Sequence, residues 1–158
     1  MDDVAAEKSS HAREAGRMRS PNAARAALAI LALSAISVGL PAAVAPHTFY
    51  SDFPFLRHWV DLLPPYNEHL VTDVGGLYLG FTVLFAWAAW RPQAALVRPL
   101  CAAWLLAAVL HLGFHATHLE GFDTTDAIAE LTSLAFLLVP PLIAIWAVGT
   151  APGHVSDA

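Results

Sequence analysis

The sequence predicts an all-α fold: a four-helix transmembrane bundle with a short interfacial helix in its first outer loop. Three observations carry this. Hydrophobic residues make up 57% of the chain and charged residues 13%, where a soluble domain carries roughly 25% charge. Apolar runs long enough to cross a hydrocarbon core of about 30 Å recur along the chain. The basic residues, finally, are distributed unevenly between the loops that join those runs, as in a multi-pass topology.

Residues 1–21 are polar, charged and rich in Ala and Ser; with no apolar face to bury they are expected to form a disordered cytoplasmic tail. The transmembrane domain is placed at 22–150, followed by a second tail at 151–158. From Ala26 to Ser51 there is no charge, and "AALAILALSAISVGLPAAVA" gives the first span. A signal peptide is the competing reading. About 20 apolar residues is long for such a segment, however, and Ala43-Val44-Ala45 is followed by Pro46, a poor position for cleavage.

The loop "PHTFYSDFPFLRHWVDLLPP" follows, aromatic and bounded by prolines. Phe55, Trp59 and Leu63 recur at i, i+4, i+8, which predicts a short helix lying at the membrane surface, either a lid or an anchor. The second span runs from about His69 to Trp90, the third from about Pro99 to His118 and the fourth from about Thr124 to Val148, each near the roughly 20 residues a crossing needs. Pro140-Pro141 should kink the fourth.

Lys8, Arg13, Arg17, Arg19 and Arg25 precede the first span, and Arg91 and Arg98 lie between the second and third, whereas the 46–68 loop holds only Arg57. The positive-inside bias therefore places both termini in the cytoplasm, of a bacterial plasma membrane on this reading. Eight of the acids and six of the histidines then fall on the outer side.

On a helix, His111, His115 and His118 share one face, and so do Asp123, Asp126 and Glu130. The short turn "LEGFD" makes the two helices antiparallel neighbours. Counting outward from it pairs His118 with Asp123, His115 with Asp126, and His111 with Glu130. On the second span His69, Asp73, Gly76 and Gly80 form a stripe that ends in a GxxxG pair and is expected to face the bundle interior. An ionised side chain facing lipid near the bilayer centre costs about 2.5–3.5 kcal/mol even on permissive scales, so these groups are expected to meet inside.

Such a cluster supports three readings. Imidazoles at i, i+4 with carboxylates opposite suit a transition metal (Zn, Cu or Fe). The favoured ligands are His111, His115 and Glu130 with His69 or Asp73, while His118, Asp126 and Glu68 are assigned to orienting or relay roles. A metal-dependent membrane oxidoreductase or hydrolase would result. The same residues also suit a proton- or ion-coupled transport module, or a structural polar core in a non-catalytic partner protein. The expected partners are the lipid bilayer and a second copy or another membrane protein. With a net charge of -5 and no basic stripe, nucleic acid is not expected. Cys101 is the sole cysteine, which excludes a CxxC redox pair within the chain. No phosphate loop, GxSxG elbow or HExxH is present.

At "PHTFYSDFP", "PPYNEHLVTDVGGLYLG" and "HLGFHATHLEGFDTTDAIAE" the chain resembles a group of small bacterial four-span integral membrane proteins without an assigned activity, over roughly residues 46–140. Its general layout is similar to that of DoxX-type four-helix membrane proteins. The resemblance implies a membrane bundle and assigns no catalytic residue.

Overall fold

The computed structural model describes residues 18–63 and 65–149. Of the predicted tails at 1–21 and 151–158, residues 1–17 and 151–158 lie outside these residues, and Pro21 already belongs to the first helix. Among the described residues the regular elements are all helices, with no strand: α1 (Pro21–Val44), α2 (Pro46–Asp52), α3 (Glu68–Trp90), α4 (Ala94–Thr117), α5 (Thr124–Phe136) and α6 (Val139–Val148). Four helical stretches are long and apolar enough to cross a membrane: α1, α3, α4, and α5 with α6 taken together. This is the character of a multi-pass membrane protein.

The helix ends follow from local chemistry. Ser20 caps α1, its hydroxyl accepting from the Ala23 amide at 3.4 Å, and Pro21 occupies the first turn, where a missing N–H costs nothing. Asn67 caps α3 by accepting from the Leu70 amide at 3.2 Å. Asp123 caps α5 through the Asp126 amide at 2.8 Å. The third span begins at Ala94, ahead of its expected start at Pro99, because Pro99 sits within the helix instead of opening it. The fourth span breaks between Phe136 and Val139, just before Pro140-Pro141, as their missing amides require.

The loop helix is displaced from its expected position. Helix α2 occupies Pro46–Asp52, and residues 53–63 are turns in which Phe55, Leu56 and His58 have positive φ. A right-handed helix through Phe55, Trp59 and Leu63 is therefore absent. Pro54 accounts for the boundary, since its ring disfavours helical backbone at the residue before it.

Helix α1 is the centre of the assembly. It packs along α3 and against α6, while α4 packs mainly on α6. The main buried cluster includes Ala24, Leu28, Leu31, Phe85, Val97, Cys101 and Trp104, and it lies toward the end where the chain enters and leaves the bundle. That end is also tied by hydrogen bonds. The Arg19 and Ser20 amides donate to the Ala147 carbonyl at 2.9 and 3.1 Å, and Arg98 donates to the Gly149 carbonyl at 2.9 Å.

Toward the opposite end α1 and α3 touch through bare backbone. A Cβ added at Gly39 would lie 2.9 Å from the Leu79 nitrogen, and one at Gly75 would lie 2.8 Å from the Ala42 carbonyl carbon and from Ala43 Cα. Gly75 is therefore the glycine that allows close approach. A Cβ added at Gly76 or Gly80 would meet nothing within 4 Å, so both face away from the bundle. This corrects the expectation that their stripe points inward.

Candidate functional site

The polar residues of interest gather at the end of the bundle formed by α2, the 53–67 segment and the 118–123 connection. One pair is enclosed there. His115, in the last turn of α4, and Glu130, on α5, are the buried polar or charged residues of the described chain. Their side chains are 8% and 5% exposed, and His115 Nδ1 lies 2.6 Å from Glu130 Oε1. The contact is short but not aligned as a hydrogen bond: Nδ1 lacks a hydrogen-bond partner, as does the buried Glu130 Oε2. We read it as a polar pair, because groups at this separation in a low-dielectric setting interact electrostatically at any angle.

The pairing runs one turn out of the expected register. Glu130, expected opposite His111, instead meets His115. Asp126, expected opposite His115, instead holds Arg57, whose Nε donates to Asp126 Oδ1 at 2.8 Å. Asp123, expected opposite His118, is consumed as the cap of α5. His118 turns back on its own helix, its ring stacked on Phe114 at 4.0 Å and its Nδ1 2.8 Å from the Phe114 carbonyl. Counting equally from the turn assumes that both helices leave it symmetrically. The helix ends, Thr117 and Thr124, are equidistant from the centre of the turn, yet equal residue counts do not set the pairing: the non-helical 118–123 connection has no fixed rise and allows one helix to slide past the other.

His111 lies one turn before His115, with ring centroids 4.5 Å apart and planes inclined by 70°; it is exposed. His69 and Asp73 do not join this group. They pair with each other on α3, His69 Nε2 to Asp73 Oδ2 at 3.3 Å, and their side chains are 82% and 58% exposed. Glu68, the first residue of α3, stands beside Tyr66 instead. The Tyr66 hydroxyl is shielded from solvent, and burial, followed by the Glu68 carboxylate, raises its ionisation above the ordinary range. Among the described residues no three His, Cys, Asp or Glu side chains converge into a ready metal cage. A shallow groove lies elsewhere, lined in part by Pro41, Phe49, Asp52, Phe53 and Phe55, and none of the His and carboxylate set lines it.

Arg57 is the contributor that sequence reasoning passes over. It stands out there as the single cation in an acidic loop, a feature that orients the chain but places no contact. Its bond to Asp126 ties the 53–63 turns to α5.

No curated protein and no solved structure matches the chain. A family model does match, over residues 23–113, from α1 into the last two turns of α4. His111 falls within that stretch; His115 and Glu130 lie beyond it. Since the match covers more than half of the sequence, the chain belongs to the family described as the domain of unknown function DUF4345.

Proposed function

We propose that this multi-pass membrane protein binds one transition-metal ion (Zn, Cu or Fe) at its hairpin end, through His111 and His115. Glu130 changes role in this reading, from ligand to orienting group. A carboxylate on one ring nitrogen fixes the tautomer of a ligating histidine and leaves the other nitrogen for the metal. The observation that carries the reading is the buried contact of His115 Nδ1 with Glu130 Oε1 at 2.6 Å, beside an imidazole one turn away. Two rings sharing an ion at metal–nitrogen distances of about 2.0–2.1 Å have centroids about 4.5 Å apart when the ligands meet at a right angle and about 5.2 Å apart in a tetrahedral site; those of His111 and His115 are 4.5 Å apart. A metal that acts on a substrate is commonly held by three protein ligands with a further position open; the two histidines supply two of these. A membrane oxidoreductase or hydrolase follows as the activity class.

The direct His115–Glu130 contact also favours a second reading, a structural pair that fixes the α4–α5 hairpin. Metal analysis of detergent-purified protein separates the two. The metal reading expects bound metal in the wild type, its loss in His111→Ala and His115→Ala, and binding weakened by roughly 10–100-fold in Glu130→Gln. Wild-type protein that neither retains nor takes up Zn, Cu or Fe, or binding indifferent to both histidine variants, leaves the structural reading.

We orient the chain with both termini in the cytoplasm of a bacterial plasma membrane. Arg19, Arg25, Arg91 and Arg98 share one end of the bundle with the chain entry. The other end carries Arg57 among Asp52, Asp61, Glu68, Asp73, Glu120, Asp123 and Asp126.

A further inference from the structure

We propose that the 53–63 segment is a latched strap across the hairpin end, with the Arg57–Asp126 bond as its latch, and that it controls the aqueous route to His115 and Glu130. The proposal rests on the reading of that pair as the working site. Both side chains are buried, so a water-borne ion or substrate reaches them only if some part of the protein moves.

The packing of α5 identifies that part. This helix lies against α4 and α6 and approaches no other helix, so neither α1 nor α3 closes its far flank. The 53–63 segment reaches the hairpin instead, at two points. Asp126 and Glu130, four residues apart, share a face of α5, and Arg57 Nε bonds Asp126 Oδ1 at 2.8 Å, one turn nearer the hairpin end than Glu130. A Cβ added at Gly121, in the connection itself, would lie 3.4 Å from Leu62 Cδ2. Between these contacts Trp59 turns inward: its indole nitrogen is shielded from water, with the Arg57 guanidinium 5.9 Å from its ring centre. The segment thus crosses the mouth of the hairpin on the water side of the pair.

The same segment is poised to move. Phe55, Leu56 and His58, on either side of Arg57, have φ of 49°, 62° and 62°, a backbone that bulky residues keep only while contacts elsewhere impose it. The side chains of Phe55 and Leu56 supply little of that hold, being 97% and 72% exposed. The latch is itself open to water, its side chains 43% and 20% exposed, and ion pairs so placed are weak. A strained segment under a weak latch has the two closely balanced arrangements that a gate requires.

The test is modification of histidines by diethyl pyrocarbonate in the detergent-purified full chain, followed residue by residue by mass spectrometry. Prior treatment with chelator keeps any bound metal from shielding a ring. In the wild type His115 should react far more slowly than His69, whose side chain is 82% exposed. Arg57→Gln should speed His115 by roughly 2–5-fold, the range for losing a solvent-open ion pair, and leave His69 unchanged. Arg57→Asp should do the same, and adding Asp126→Arg should restore the slow rate. In a Cys101→Ala background, Arg57→Cys with Asp126→Cys should return His115 to the slow rate when bridged by a short bifunctional thiol reagent, and not when capped by a monofunctional one. Three outcomes overturn the proposal: a wild-type His115 as reactive as His69, a His115 rate indifferent to both latch and bridge, or a His69 rate that rises in step with that of His115. Metal analysis decides the site and these rates decide its access, so either can fail alone.

Discussion

At the scale of single residues, the His115–Glu130 couple dominates the behaviour of the hairpin end. Removing one member of a buried pair strands the other and costs about 3–5 kcal/mol, whereas replacing both with apolar residues of similar volume is often neutral. His115→Leu and Glu130→Leu should each lower the thermal unfolding temperature in detergent, and the double variant should recover most of the loss. A double variant as unstable as the sum of the singles would mean that the two side chains do not depend on each other. Tyr66 offers a second test, outside the spans. Glu68→Gln removes a negative charge that opposes phenolate formation, so ultraviolet difference titration should find the Tyr66 ionisation lowered, yet still above the ordinary range because burial persists. The residue types at this end are legible in the sequence, since His and Glu between apolar runs have few alternatives to pairing. The partner assignments are not. Asp123 three residues before Asp126 is also the spacing of a helix cap, and reading it that way removes one rung.

At the scale of elements, the contact between α1 and α3 depends on Gly39 and Gly75. Gly75→Ala forces a methyl against the backbone of Ala42 and Ala43, which cannot move aside as a side chain would. Overpacking of this kind costs roughly 1–3 kcal/mol. Gly113→Ala, where a methyl meets nothing within 4 Å, should instead gain up to about 1 kcal/mol from helix propensity. Opposite shifts in unfolding temperature are expected for the two variants; a Gly75→Ala protein as stable as the wild type would show that the helices can separate freely. The sequence "VGGLYLG" holds both the contact glycine and the open GxxxG pair, one residue apart. Motif reading selects the pair, and a one-residue offset on a helix turns the chosen face by about 100°. The loop helix is misplaced for a related reason: aromatic spacing at 55, 59 and 63 suggests a helix, while Pro54 sets the boundary.

At the scale of the whole molecule, the number of spans and the break at Pro140 are readable, because length, hydropathy and a missing amide are properties of the chain itself. Which helix stands at the centre is not, since every span is apolar and the choice of α1 rests on small residues packing closely. Topology gives the test at this scale. Cysteines introduced one at a time in the Cys101→Ala protein, at Glu120 and at Gln93, should react with a membrane-impermeant thiol reagent from opposite sides, Glu120→Cys from the external face. The reverse pattern would invert the proposed orientation. The amides of Arg19 and Ser20, held by the Ala147 carbonyl, carry a consequence for biosynthesis. Among the described residues the first helix closes onto the last, so the central helix waits in the bilayer without one of its main neighbours until α6 has been translated. A nascent chain arrested before Val139 should therefore be a preferred substrate for membrane proteases, while one arrested just beyond Gly149 should escape them.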